Sequence, residues 1–177
     1  MNKVRIGGGE MRRRVITFPD VEGLRPTPDR VRETLFNWLG QTLYGRVCLD
    51  LFAGSGVLGF EAASRGAERV VMVERNRTVF KALQENIKKL GCANIFVHAQ
   101  DGLEFASRDT QRYDVIFLDP PFQSEYLPKL LEILPQRLKE NGVVYVESGT
   151  AIEIPPQWQV IKAGKAGQVH YQLLKIV

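Results

Sequence analysis

Cysteine and histidine are scarce in this chain, with two of each among 177 residues. Cys48 sits inside an apolar run and Cys92 follows a helical pattern, so their spacing suits neither a disulfide framework nor a metal cage, and both are expected to be free thiols. His98 and His170 lie far apart, without a cysteine or carboxylate at ligand spacing, so no metal is expected. No apolar run approaches the roughly 20 residues needed to cross a bilayer. The opening Met1-Asn2-Lys3-Val4-Arg5 leads into glycine and arginine instead of the apolar segment of a secretory signal. A cytoplasmic protein with no membrane contact is expected. Internal repeats, low-complexity runs and interdomain linkers are also missing.

What is present is an ordinary globular balance, 44% hydrophobic and 25% charged residues, in a length that suits one full core and is short for two. The net charge of +4 is concentrated at one end. Residues 1–32 hold eight basic side chains (Lys3, Arg5, Arg12, Arg13, Arg14, Arg25, Arg30 and Arg32) against four acidic ones, while the remainder balances at 16 of each sign. Seven of those eight are arginine, the residue suited to bidentate phosphate contacts and base stacking. A polyanion such as a nucleic acid is the partner this leader suits. The pattern of residues 1–26, with Gly7-Gly8-Gly9 ahead of Arg12-Arg13-Arg14-Val15-Ile16-Thr17-Phe18, allows two short extended pieces around a turn. It reads as a basic arm without a core of its own, with residues 27–177 forming a single domain.

The stretch Val47-Cys48-Leu49-Asp50-Leu51-Phe52-Ala53-Gly54-Ser55-Gly56-Val57-Leu58-Gly59 organises that domain. An apolar run ending at an acid, then glycines at 54, 56 and 59, predicts a strand feeding a tight loop into a helix over about 57–65. Such a loop brings its backbone close to a nucleotide-like ligand and aims the helix N-terminus at it. The same glycine spacing, with Glu74 about 20 residues on, also fits a dinucleotide fingerprint. Asp50 separates the two readings. A pyrophosphate would meet a like charge there, whereas the sulfonium and ammonium groups of S-adenosylmethionine would be attracted to it. On this reading Asp50, Phe52, Ala53, Gly54, Ser55 and Gly56 cup the ligand, and Glu74 with its neighbour Arg75 meets the ribose. Asp101 or Gly102 reaches the adenine edge.

Along the rest of the chain, Thr27-Pro28-Asp29 predicts a helix start with Thr27 as N-cap and Pro28 at the first helical position. Val31, Leu35, Leu39 and Leu43 follow at helical spacing. Arg69–Glu74 predicts a second strand, residues 76–90 a helix closed by Gly91, Asn94–His98 a third strand, and Tyr113–Leu118 a fourth. A helix is expected from there to about Lys139, then a fifth strand over Gly142–Glu147. Two closing strands, Gln157–Ile161 and Val169–Ile176, are expected around a loop over 163–167. Alternating units of this kind predict an α/β fold with a mainly parallel, seven-stranded sheet covered by helices on both faces. Glu147 carries no local signal separating function from structure and reads as structural.

Asp119-Pro120-Pro121-Phe122, after the fourth strand, is the most specific motif. Two prolines remove their own N–H groups and leave a stiff set of acceptors, so the target must be a donor. An exocyclic amino group is a poor nucleophile because its lone pair is shared with the ring. Accepting its two protons at the Asp119 carboxylate and the Pro120 carbonyl favours the geometry that frees the lone pair, which leaves positioning and electrostatics as the main work. Phe122 offers a face for a planar base turned out of its stack.

These segments, with Arg5-Ile6-Gly7-Gly8, Gly23-Leu24-Arg25-Pro26-Thr27-Pro28-Asp29-Arg30-Val31-Arg32-Glu33 and Ala166-Gly167-Gln168-Val169, resemble the RsmD family of bacterial class I methyltransferases. The resemblance covers nearly the whole chain. It implies a Rossmann-like, S-adenosylmethionine-dependent enzyme, acting as a monomer, that methylates N2 of a guanine in 16S ribosomal RNA of the small subunit or its assembly intermediate. It implies that Asp119, Pro120, Pro121 and Phe122 hold the guanine, and that Asp50, Gly54, Gly56, Glu74 and Asp101 hold the donor. Arg5, Arg12, Arg13, Arg14, Arg25, Arg30 and Arg32 are the expected RNA contacts. Where the family pattern leads one to expect a Trp-Arg-Gly-Arg-Lys-like segment, this chain has Glu10-Met11-Arg12-Arg13-Arg14. The alternatives are an amino methyltransferase acting on DNA adenine or a protein amide, a dinucleotide oxidoreductase, and a noncatalytic RNA-binding factor.

Overall fold

Four consecutive buried residues, Val47–Asp50, satisfy their backbone inside a sheet, and parallel partners occupy both flanks of this strand. The computed structural model describes residues 1–121 and 123–177. In chain order the strands are β1 (Asn2–Arg5), β2 (Val15–Phe18), β3 (Val47–Asp50), β4 (Arg69–Glu74) and β5 (Ile95–Ala99), then β6 (Tyr113–Leu118), β7 (Leu138–Ser148), β8 (Trp158–Ala166) and β9 (Val169–Ile176). The helices are α1 (Asp29–Trp38), α2 (Val57–Ser64), α3 (Arg77–Leu90), α4 (Gly102–Arg108) and α5 (Gln123–Ile133). Seven strands form one sheet in the order β5-β4-β3-β6-β7-β9-β8. The strands from β5 to β7 are parallel, and β9 runs against both β7 and β8. Winding starts at β3, moves outward to β5, then returns to β6 on the other side. The carboxyl ends of β3 and β6 therefore flank the point where the order reverses, the place where open α/β sheets bind ligands.

Alternation along the strands divides the core into two layers. Cys48, Val70, Met72, Val115 and Phe117 face α1, α2 and α3, while Leu49, Val71, Val73, Ile116 and Leu118 face α4 and α5. Asn76 caps α3 by accepting from Val79 N–H at 3.0 Å, and Gly91 ends it in the left-handed conformation. Among the described residues no helix is long and apolar enough to cross a membrane. Cys48 and Cys92 are free and buried.

Several predicted boundaries are corrected. Thr27 does not cap α1: Pro28 holds the cap position, and the buried Thr27 hydroxyl donates to Glu147 Oε2 at 3.4 Å. That helix ends at Trp38, so Leu43 is buried from a connecting loop and not from a helical face. The helix expected to reach Lys139 stops at Ile133, a single 3₁₀ turn follows over Leu134–Arg137, and Lys139 already belongs to β7. Residues 163–166, expected as loop, continue β8 and pair with β9 up to a tight turn at Gly167-Gln168.

The basic leader is an antiparallel hairpin, β1 against β2, whose inward residues Val4, Ile6, Ile16 and Phe18 join the core layer beside α2 and α3. Its connecting segment is strapped to the C-terminal end of α2. Glu10 N–H donates to Ser64 O, and Met11 N–H to Ser64 Oγ, each at 2.8 Å. Glu61, 1% exposed, anchors this junction. It accepts from Gly7 N–H and from Arg65 Nε at 2.8 Å each, and Arg32 Nε lies 3.6 Å away. One buried carboxylate thus ties the leader, α1 and α2 together. Removing it strands two guanidinium groups in a low-dielectric site, so Glu61→Ala should lower the unfolding free energy by about 3–5 kcal/mol. Urea denaturation checks this, and a loss below about 1 kcal/mol would mean that the cluster is solvated.

Candidate active site

The turn after β3 is shaped by left-handed glycines. Gly54 and Gly56 have φ of 55° and 84°, and Gly56 N–H donates to Ala53 O at 2.8 Å, which closes the loop onto the start of α2. A Cβ on Gly56 would lie 2.5 Å from Leu83 Cδ2 and 2.8 Å from the Phe60 ring, so helix packing as well as backbone conformation calls for glycine here. Ser55 is buried and accepts from Val57 N–H at 3.3 Å. Glu74, at the end of β4, accepts from Gly54 N–H at 2.9 Å and from Asn76 N–H at 2.8 Å. It fixes the loop before any ligand arrives and still has lone pairs to offer two vicinal hydroxyls.

The loop forms one wall of a cavity of about 540 Å³, and the strand ends form the others. Asp50, Phe52, Ala53, Gly54, Ser55, Glu74, Arg75, Asp101 and Gly102 line it, and so do Asp119, Pro120 and Pro121. Gly56 is not in the lining; it acts from behind, through the turn. Phe122 lies outside the described residues. The two motifs singled out in the sequence, separated by some 70 residues of chain, therefore meet in one space. Val21 to Arg25 and Thr27 add a further wall from the leader side, which local sequence did not announce.

Asp101 is occupied structurally. One oxygen caps α4 by accepting from Glu104 N–H and the other accepts from the Tyr126 hydroxyl, both at 3.1 Å. Gly102 fits tightly, because a Cβ there would lie 2.4 Å from Leu51 O and 2.7 Å from the Phe52 ring. The start of α4 is thus pressed against the β3 loop, and this contact explains why glycine follows the cap.

Electrostatically the cavity is a sink for positive charge. Asp50 is 4% exposed, and burial pushes its carboxyl from an ordinary 3.8 up to about 7. The Phe52 N–H opposes that rise, and the charges of Glu74 and Glu147 add to it. Asp119 opens onto the cavity, where water reaches it, yet its carboxyl is also held above the usual range. Enclosure by protein is the main cause, followed by the charge and hydrogen bonding of Glu147 and then by Asp50. Gln123 steadies this corner by donating to Asp119 Oδ1 at 3.3 Å and to Glu147 O at 2.8 Å. Glu147 is the residue sequence reasoning left aside. It is 8% exposed and accepts from Tyr145 OH at 2.8 Å. Its signal was positional: it lies near the end of the strand next to β6, whose end leads into Asp119.

The arginines divide into three groups. Arg25 lines the cavity, and Arg30 is exposed near the start of α1. Arg5, Arg12, Arg13 and Arg14 are exposed on the hairpin, with the turn docked at the far end of α2, which is eight residues or about 12 Å long. Arg32 is a correction. It is 4% exposed, donates to Thr27 O and Arg5 O, and pairs with Asp29 and Glu61, so it is a structural strut unable to reach RNA.

Comparison with known proteins agrees with this architecture. A family model described as Conserved hypothetical protein 95 matches residues 4–175. Ribosomal RNA small subunit methyltransferase D of Escherichia coli K12 is 39% identical over 176 residues, covering 97% of this chain and 89% of that protein. The protein of the same name from Haemophilus influenzae is 40% identical over 179 residues, with 97% and 93% covered. The solved structure of a putative methyltransferase, yhhF, from Escherichia coli superposes with a TM-score of 0.90 at 38% identity, covering 99% of this chain and 98% of that one. The fold is the Rossmann-like one of class I methyltransferases, and the chain belongs to the RsmD family.

Proposed function

We propose that this chain transfers the methyl group of S-adenosylmethionine to the exocyclic N2 amino group of a guanine in 16S ribosomal RNA, in the small subunit or an assembly intermediate. The observation that carries the reading is the single cavity that joins Asp50 and the glycine turn to Asp119 and Pro120. The cavity residues fit the donor's chemistry: a buried carboxyl suits a ligand with two cationic centres, and Glu74 suits ribose hydroxyls. Asp50, Phe52, Ala53, Gly54, Ser55, Glu74, Arg75, Asp101 and Gly102 would hold it, with Gly56 shaping the turn. When bound, S-adenosylmethionine supplies an electrophilic methyl carbon on a sulfonium that departs as a neutral thioether. The chain's own work is to hold the acceptor. The Asp119 carboxylate and the Pro120 carbonyl take the two amino hydrogens, Pro121 stiffens the turn, and Phe122 stacks the base.

Relatives named for methylation of small-subunit ribosomal RNA support an RNA acceptor. The arginines support a footprint in two parts, Arg25 and Arg30 near the cavity and Arg5 with Arg12, Arg13 and Arg14 at the remote hairpin turn. Such an enzyme would work in the cytoplasm, where bacterial ribosomes are assembled.

Incubation with labelled donor and undermethylated small subunits, followed by nucleoside digestion, should yield labelled N2-methylguanosine, and labelled product on any other nucleoside would displace the guanine assignment. Asp119→Ala should keep donor affinity and lose at least about a hundredfold in transfer. Replacing Arg12, Arg13 and Arg14 together by alanine should flatten the salt dependence of RNA binding by about 0.7–0.9 log units for each lost phosphate contact. An unchanged slope would make those arginines bystanders.

A further inference from the structure

Behind Asp119 lies a second carboxyl, Glu147, held by two hydroxyl donors. Leu118 of β6 pairs in register with Val146 of β7, so Asp119, just past the end of β6, lies beside Glu147, which stays within β7. Glu147 is 8% exposed, does not line the cavity and faces Asp119. Its Oε1 accepts from Tyr145 OH at 2.8 Å and its Oε2 from Thr27 Oγ1 at 3.4 Å. Among the described residues Asp119 accepts from Gln123 Nε2 at 3.3 Å, and the same nitrogen donates to Glu147 O. Gln123 is itself set by the Ser148 hydroxyl, which donates to Gln123 Oε1. A carboxyl that faces a second carboxyl keeps its proton more tightly, and the charge and hydrogen bonding of Glu147 act on Asp119 in this direction.

We propose that Glu147 is a positioning residue whose buried charge makes Asp119 the acceptor for the proton that leaves the amino nitrogen during transfer. The proposal rests on the reading that Asp119 holds the acceptor amino group. As the nitrogen–carbon bond forms, the methyl carbon–sulfur bond breaks and sulfur keeps the electron pair. The surplus proton on nitrogen then passes to an Asp119 oxygen and later to water. An ordinary carboxylate is a weak base for this task, and a charged neighbour strengthens it. The groups that face Asp119 are Glu147 and Tyr145 from β7, Asp50 from β3 and the uncharged Gln123 from α5, with Tyr171 of β9 behind Tyr145 and Arg25 on the same cavity. Asp50 also titrates, so transfer is measured at saturating donor.

Two readouts test this. In donor-free protein with ¹³C-labelled carboxyls, Glu147→Gln should move the Asp119 titration down by about one pH unit or more. In single-turnover transfer the acid limb of the rate should move with it, while the plateau falls. Tyr145→Phe keeps the carboxyl but removes its hydroxyl donor, and should move both in the same direction by less. This variant also carries the test if Glu147→Gln fails to fold. A titration and limb that stay in place, with transfer abolished by Asp119→Ala, would overturn this proposal alone. Transfer that survives Asp119→Ala would overturn it together with the reading beneath it.

Discussion

Asp50 is buried at the carboxyl end of a central strand, and among the described residues no basic side chain is paired with it. A carboxyl in that position is costly to ionise, which is why its proton is held to near neutral pH. The surrounding fold makes sense as the means of keeping it there. Parallel partners on both flanks of β3 hold it at the strand end, where it lines the cavity. Glu74 locks the turn from the neighbouring strand. On the proposed reading, a cationic ligand would supply the counter-charge that this carboxyl lacks.

A second constraint comes from topology. Sheet order reverses between β3 and β6, so loops far apart in sequence open into the same space. One strand end brings the glycine turn and the other brings the proline pair, and β7 delivers Glu147 behind them. The leader completes the cavity from a third direction, and its hairpin is anchored through Glu61 to the far end of α2. A remote basic surface and the cavity are in this way joined through one buried carboxylate.

Much of this was legible in the sequence because it is local. β3 and β6 are legible because each is a short, mostly apolar run of a parallel strand that ends on an acid, Asp50, or just before one, Asp119. The α3 helix is equally clear from its asparagine cap and closing glycine. What was not legible depends on partners distant in the chain. Thr27 has the composition of a cap, but its hydroxyl is claimed by Glu147, 120 residues away. Arg32 looks like its neighbours in a basic run, and only the fold shows that Glu61 and two carbonyls consume its guanidinium. Lys139 follows a helical pattern, yet Leu138 already pairs with Tyr113 and commits the chain to β7. Glycines at 164 and 167 read as loop, while cross-strand pairing with β9 carries β8 through the first of them. Within the site, the glycine turn and the proline pair could be named from local rules. The roles of Gln123, Glu147 and the Val21-to-Thr27 wall arise from adjacency across the sheet.

The measurement that bears most directly on the account is the proton balance of donor binding, obtained by titration calorimetry in buffers of different ionisation enthalpy. At a pH about one unit below the Asp50 midpoint, S-adenosylmethionine should expel close to one proton on binding. S-adenosylhomocysteine, which lacks the sulfonium charge, should expel distinctly less, and Asp50→Asn should abolish the difference. Equal proton release for the two ligands, or none for either, would contradict the claim that a buried carboxyl awaiting a cation organises this site.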